Sequence, residues 1–326
     1  MLYYNFASLK IIATLQLMTN RFSRYCSISL FSACLWTTVP AQAESGITVL
    51  ASIKPIQLIA EEMLGELADV NLLLPAGSSP HHYSLKPSAI SQLHSADLVI
   101  WGGEDLEMFL RKPVSQLSQP ALALLEPATD SDDEHDEHDE HDEHDEHDEH
   151  GHQHQGDPHF WMAPERALEA AAEIRDRLIQ LQPDQADVLG VAYQRFESRL
   201  QEKDKLLKQQ LKPLKDEGFF VFHDAFSGFV EHYQLKQLGY FTVDPGRKPG
   251  AKHLSEIRQA LEQQKAVCVF VEPQFKAPVV ENLIRGLNID VGRLDPLAST
   301  SPTGATGYTD YLQSLADSFS GCLKKN

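Results

Sequence analysis

From Ile47 onward, short apolar runs alternate with amphipathic stretches, a pattern that predicts βα units with mainly parallel sheets. Ile47–Ile53 reads as a strand and Pro55–Leu64 as a helix, with proline in the first turn, where a missing N–H costs nothing. Val70–Leu74 reads as a second strand, ended by Pro75-Ala76-Gly77. Ser88–Ser95 is predicted as a short helix, Leu98–Trp101 as a buried strand and Leu122–Leu125 as another. Helical periodicity then covers Pro164–Leu181. After Pro183 a second helix runs to about Leu211, with Leu189, Tyr193, Phe196, Leu200, Leu207 and Leu211 on one stripe and charged or amide residues between them.

The pattern then repeats. Phe219–Phe222, Tyr240–Val243, Val267–Val271 and Asp290–Leu294 read as strands, and Leu254–Gln264, Val279–Leu287 and Tyr308–Leu323 as helices. The expected architecture is therefore α/β: two (β/α) lobes bridged by one long helix. The expected divisions are an N-terminal lobe over 44–182, a linking helix over 183–212 and a C-terminal lobe over 213–326.

Residues 1–43 read as a removable export signal. Arg21 and Arg24 precede an apolar stretch from Tyr25 to Val39, and Ala41-Gln42-Ala43 offers small residues where a signal peptidase cuts, so cleavage is expected after Ala43. The apolar run is too short for a membrane span of about 20 residues. Met18 is an alternative start, Cys34 an alternative site for lipid attachment, and an N-terminal core helix the structural alternative. Export also bears on the cysteines. Cys268 and Cys322 remain after cleavage, and an oxidising compartment favours a disulfide over two independent buried thiols.

The net charge of −19 comes largely from one run. Asp133 to His150 is Asp-Glu-His repeated six times, inside a segment over 130–156 that ends with His152 and His154. Without an apolar residue to bury, such a run is expected to be solvated. The rest of the chain is only modestly acidic, with no basic footprint for nucleic acid. His135, His138, His141, His144, His147, His150, His152 and His154 offer several weak, interchangeable metal sites, filled mainly above a histidine pKa of about 6.5. A solvated spacer is the alternative reading.

Ligands of open parallel sheets bind beyond the carboxyl ends of the strands. Four residues hold such positions: His81 after the second strand, His159 where the acidic segment re-enters the fold, His223 at the end of Phe219–Phe222, and Asp295 just beyond Asp290–Leu294. Three imidazoles completed by a carboxylate or water suit tetrahedral Zn²⁺, whereas Mn²⁺ prefers more oxygen. Asp157 and Asp224 are both candidates to orient an imidazole through its second nitrogen.

Several motifs carry a resemblance: Tyr83-Ser84-Leu85-Lys86-Pro87-Ser88, Asp157-Pro158-His159-Phe160-Trp161, Phe222-His223-Asp224-Ala225, Val271-Glu272-Pro273-Gln274-Phe275 and Leu294-Asp295-Pro296-Leu297. In this order they resemble the metal-specific periplasmic solute-binding proteins of ABC transporters, most closely the zinc-binding components, over essentially the whole mature chain. The resemblance implies metal held between the lobes by His81, His159 and His223, and a membrane permease as partner. It also implies zinc over manganese, because manganese-binding relatives carry a carboxylate where His223 stands. For the fourth ligand it leaves Asp295 or water, with His82 as an outside choice; a glutamate used by some members is replaced here by Pro80. The positions of Cys268 and Cys322 resemble a disulfide of zinc members.

The expectation is thus a monomeric, non-catalytic, periplasmic zinc receptor that is not embedded in the membrane. An extracytoplasmic zinc buffer or adhesin and a manganese-binding relative are the alternatives. A zinc hydrolase is disfavoured, since neither a His-Glu-x-x-His motif nor a nucleophile elbow is present.

Overall fold

The computed structural model describes residues 46–125 and 157–324, apart from Pro245, Arg247, Lys248, Gln264, Lys265, Lys276 and Ala277. The expected export signal and the Asp-Glu-His run lie outside the described residues. The first lobe comprises β1 (Ile47–Ala51), α1 (Lys54–Leu64), β2 (Ala68–Leu72), α2 (Pro87–Ser95), β3 (Leu98–Trp101), α3 (Arg111–Ser115) and β4 (Ala121–Ala123). Two helices follow, α4 (Pro164–Leu181) and α5 (Ala186–Leu211). The second lobe comprises β5 (Gly218–His223), α6 (Ser227–His232), β6 (Lys236–Thr242), α7 (Ala251–Gln263), β7 (Cys268–Val271), α8 (Pro278–Leu283), β8 (Asp290–Arg293) and α9 (Gly307–Leu323).

Each lobe holds a four-stranded parallel sheet, and the two share one topology: β2-β1-β3-β4 and β6-β5-β7-β8. Strand order reverses between β1 and β3 in the first sheet and between β5 and β7 in the second. All four residues of β3 and all six of β5 are buried, as strands covered on both faces require.

The lobes also share a core. The stripe predicted on α5 is buried at Leu189, Phe196, Leu200, Leu207 and Leu211, along a helix about 39 Å long. α5 packs against α1, α4 and α9, and α9 packs against α1 as well. One continuous apolar cluster therefore runs from Ile47 to Leu323. A smaller cluster around Phe220, Phe222, Phe241 and Val269 covers the other face of the second sheet. Polar ties cross the same junction. The buried Glu62 carboxylate on α1 accepts from Thr309 N (2.9 Å), Thr309 Oγ1 (3.1 Å) and Arg199 Nε (3.2 Å). Trp161 Nε1–H donates to the Pro296 carbonyl at 2.8 Å, and the Tyr308 hydroxyl to the Trp161 carbonyl at 2.7 Å.

Several predicted boundaries move, each for a local reason. β6 starts at Lys236 rather than Tyr240, because this edge strand carries exposed and half-buried residues that leave no apolar run. α8 ends at Leu283 rather than Leu287, and Gly286 beyond it adopts φ of 82°. The short α3 and α6 have no sequence counterpart in the expectation. Among the described residues no helix is long and apolar enough to cross a membrane.

Candidate metal centre

His81 stands in the loop between β2 and α2. His159 precedes a 3-10 turn, Phe160–Met162, that leads into α4, and His223 is the last residue of β5. Two of these rings thus arrive from loops outside the second sheet and one from the end of its central strand. Their centroids lie 5.3, 5.4 and 5.0 Å apart. One ring nitrogen from each falls within 4.8 Å of the others, and among the described residues no carboxylate or further histidine joins the group. His81 Nε2 and His159 Nε2 are 3.3 Å apart. Two nitrogens on a tetrahedral zinc with bonds of 2.0–2.1 Å are also about 3.3 Å apart.

The surroundings keep these rings ready to donate lone pairs. His159 Nδ1–H donates to Asp157 Oδ1 at 2.9 Å, and the His159 backbone N–H donates to the same oxygen at 2.9 Å. That fixes the tautomer and leaves the His159 Nε2 lone pair facing His81. Burial by itself would raise the pKa of Asp157, but these donors and the Ser227 hydroxyl hold it to about 2. At His81, burial and then the neighbouring His159 and His223 rings lower the pKa to about 3. His223 is 3% exposed, and neither of its ring nitrogens has a hydrogen-bond partner. A buried polar group left unpaired costs about 1–3 kcal/mol, which a ligand accepting the lone pair would recover. A cavity of about 10 Å³ lies among His81, His159, His223, Glu272, Phe275 and Leu297, roughly the space of one water-sized sphere.

The other sequence candidates are placed elsewhere. Asp295 accepts from Leu297 N (3.1 Å), Ser299 N (2.6 Å), Ser299 Oγ (3.1 Å) and the Gln274 amide, so its carboxylate shapes its own turn and stands outside the histidine group. His82 turns outward and meets Asp244 of the second lobe, with Nε2 at 3.0 Å from Oδ1. Of the two candidate orienters, Asp157 meets the His159 imidazole, whereas Asp224 accepts from Gln237 Nε2 at 3.1 Å. Cys268 on β7 and Cys322 on α9 are joined by a disulfide. The eight loop histidines lie outside the described residues.

The comparison that decides kinship is a family model, zinc-uptake complex component A, periplasmic (ZnuA), which matches residues 49–322. The chain belongs to the ZnuA family. The high-affinity zinc uptake system protein ZnuA of Yersinia pestis is 40% identical, covering 85% of this chain and 91% of its own. The corresponding ZnuA of Haemophilus ducreyi is 41% identical, covering 89% and 96%. A crystal structure of ZnuA is similar at a TM-score of 0.69 and 25% identity, covering 86% of this chain and all of that one.

Within this ZnuA framework, sequence reasoning passed over Glu272. Its motif is quoted above, but no role was read from it. The residue directly follows β7, the strand beside β5, and its Oε1 lies 3.5 Å from His223 Nδ1. Position at the carboxyl end of a central strand was the available signal.

Proposed function

We propose that this chain is the zinc-binding receptor of an ABC-type uptake system, capturing Zn²⁺ between its lobes and delivering it to a membrane permease. The reading rests on one observation: three largely buried imidazoles converge with a 3.3 Å nitrogen spacing suited to tetrahedral zinc. His81, His159 and His223 bind as neutral ligands. Water takes the fourth position, because Asp295 would have to surrender its turn hydrogen bonds to reach the ion. Binding in this way is capture rather than catalysis, and no general base is needed. Family membership supports zinc as the cargo and the periplasm as the place.

Export uses residues 1–43, with cleavage after Ala43, and the mature chain acts as a monomer. The Asp-Glu-His run works as a collector or sensor whose several weak sites raise the local zinc concentration beside His159.

The test is a chelator-competition Zn²⁺ titration of the mature protein lacking residues 132–155, alone and with His81→Ala, His159→Ala and His223→Ala combined. One tight zinc per chain, lost in the triple variant, is the expected result. A tight site that survives the triple substitution overturns the reading by placing zinc elsewhere in the fold, and no tight site before it leaves the repeat as the metal binder of a buffer protein.

A further inference from the structure

The two lobes share a strand order but treat its reversal point differently. In the first lobe β1 and β3 are followed by Ser52 and Gly102, and both bond to the buried Glu107: Ser52 Oγ–H donates to Oε2 at 2.8 Å and Gly102 N–H at 2.6 Å. At the same end of the second sheet stand His223, which ends β5, and Glu272, which follows β7. Glu272 is also 3% exposed, yet its Oε1 has no hydrogen-bond partner. His223 Nδ1, itself unpartnered, lies 3.5 Å from that oxygen. Two buried, unsatisfied and chemically complementary groups thus face each other across one cavity wall.

His159 supplies the precedent within the same site, since its Nδ1–H is held by Asp157 while Nε2 faces the centre. We propose that Glu272 is the positioning residue of His223: it accepts the Nδ1–H, fixes that tautomer and turns the Nε2 lone pair toward His81 and His159. The proposal rests on the three-histidine reading above. Glu272 does not serve as a fourth ligand, because no oxygen of it falls within the group formed by the three histidine nitrogens. Its negative charge offsets part of the charge that a divalent ion brings to three neutral imidazoles. A carboxylate at Nδ1 also makes Nε2 a better donor, so Glu272 slows zinc loss without touching zinc.

The test compares wild type with Glu272→Gln and Glu272→Ala in the mature protein with labelled histidine. Two-bond ¹⁵N–¹H correlations of the zinc-free protein read the His223 tautomer. Wild type is expected as Nδ1–H, Glu272→Gln retains it through its amide oxygen, and Glu272→Ala shifts toward Nε2–H. Zinc dissociation into excess chelator should quicken about 10–100-fold in Glu272→Ala and less in Glu272→Gln. An unchanged tautomer and rate in Glu272→Ala overturn the proposal. So does an altered ligand-field spectrum of the Co²⁺ form of Glu272→Gln, which would make Glu272 a direct ligand. If Glu272→Ala does not fold, Glu272→Gln with its spectrum and rate still decides. The zinc-free tautomer is read without metal, so failure of the zinc-receptor reading leaves this measurement standing.

Discussion

His81 and His232 bring the same ring into opposite settings. His81 sits beside two other imidazoles, and burial with those neighbours lowers its pKa to about 3. His232, on α6, lies between Glu165 of α4 and Asp204 of α5, with Nδ1 at 2.8 Å from one carboxylate and Nε2 at 2.6 Å from the other. Burial opposes its charge, but the hydrogen bonds to Asp204 and Glu165 outweigh it and push the pKa up to about 9. A folded pKa above the unfolded value of about 6.5 gives stability that is complete below pH 6.5 and is lost as pH rises through 9. Glu165 is more than half exposed, so after screening the gain is about 1–2 kcal/mol. His232→Gln should therefore unfold at lower denaturant than wild type at pH 6, and the gap should close by pH 9.5. A gap that stays constant across that range would show that the ion pairs do not form. Nothing in the sequence announces this cluster, because Glu165, Asp204 and His232 share no motif or spacing. His81, His159 and His223 could be picked out as candidates because each stands beside a strand end or within a distinctive motif.

At the scale of elements, legibility followed burial. The stripe on α5 and the apolar strands β3, β5 and β7 were readable because burial on one stripe or on both faces leaves a periodic or continuous apolar signature. The start of β6 and the whole of α6 were not, since a half-exposed edge strand and a six-residue helix leave none. The cysteine pair was open between disulfide and separate thiols; the structure joins β7 to α9 across 54 residues. That bond secures the terminal helix, which packs against β8, α1 and α5. A closed loop of this length corresponds to about 4 kcal/mol in the chain-entropy model and about 2–4 kcal/mol in practice. Replacing both cysteines by serine should lower unfolding free energy by that amount in denaturant titrations. Zinc affinity should stay within about threefold of wild type, because neither sulfur lines the histidine cavity. A large loss of affinity together with retained stability would instead tie the bond to the site.

For the molecule as a whole, the decisive feature is that two lobes legible from the repeated βα pattern turn out to share one core. The contacts responsible join residues far apart in sequence, such as Glu62 with Thr309 and Trp161 with Pro296, and such pairs leave no periodic trace. Their consequence is mechanical. Opening the lobes as a hinge would separate α1 from α9, expose part of the apolar cluster and strip the buried Glu62 carboxylate of its Thr309 donors. Losing a hydrogen bond to a buried carboxylate costs about 1.5–3 kcal/mol before any apolar exposure is counted. Zinc capture should therefore reorder the loop that carries His81 and shift the lobes by no more than about 1–2 Å. Spin labels on Glu66→Cys of the first lobe and Gln263→Cys of the second, both exposed, report that distance directly. The expected distance distributions with and without zinc overlap within about 2 Å, while a label on Ser84→Cys of the His81 loop sharpens on zinc addition. A zinc-dependent change well beyond that between the lobe labels would mean that the shared core yields, and that the α1–α5–α9 junction is a hinge instead of a fixed spine.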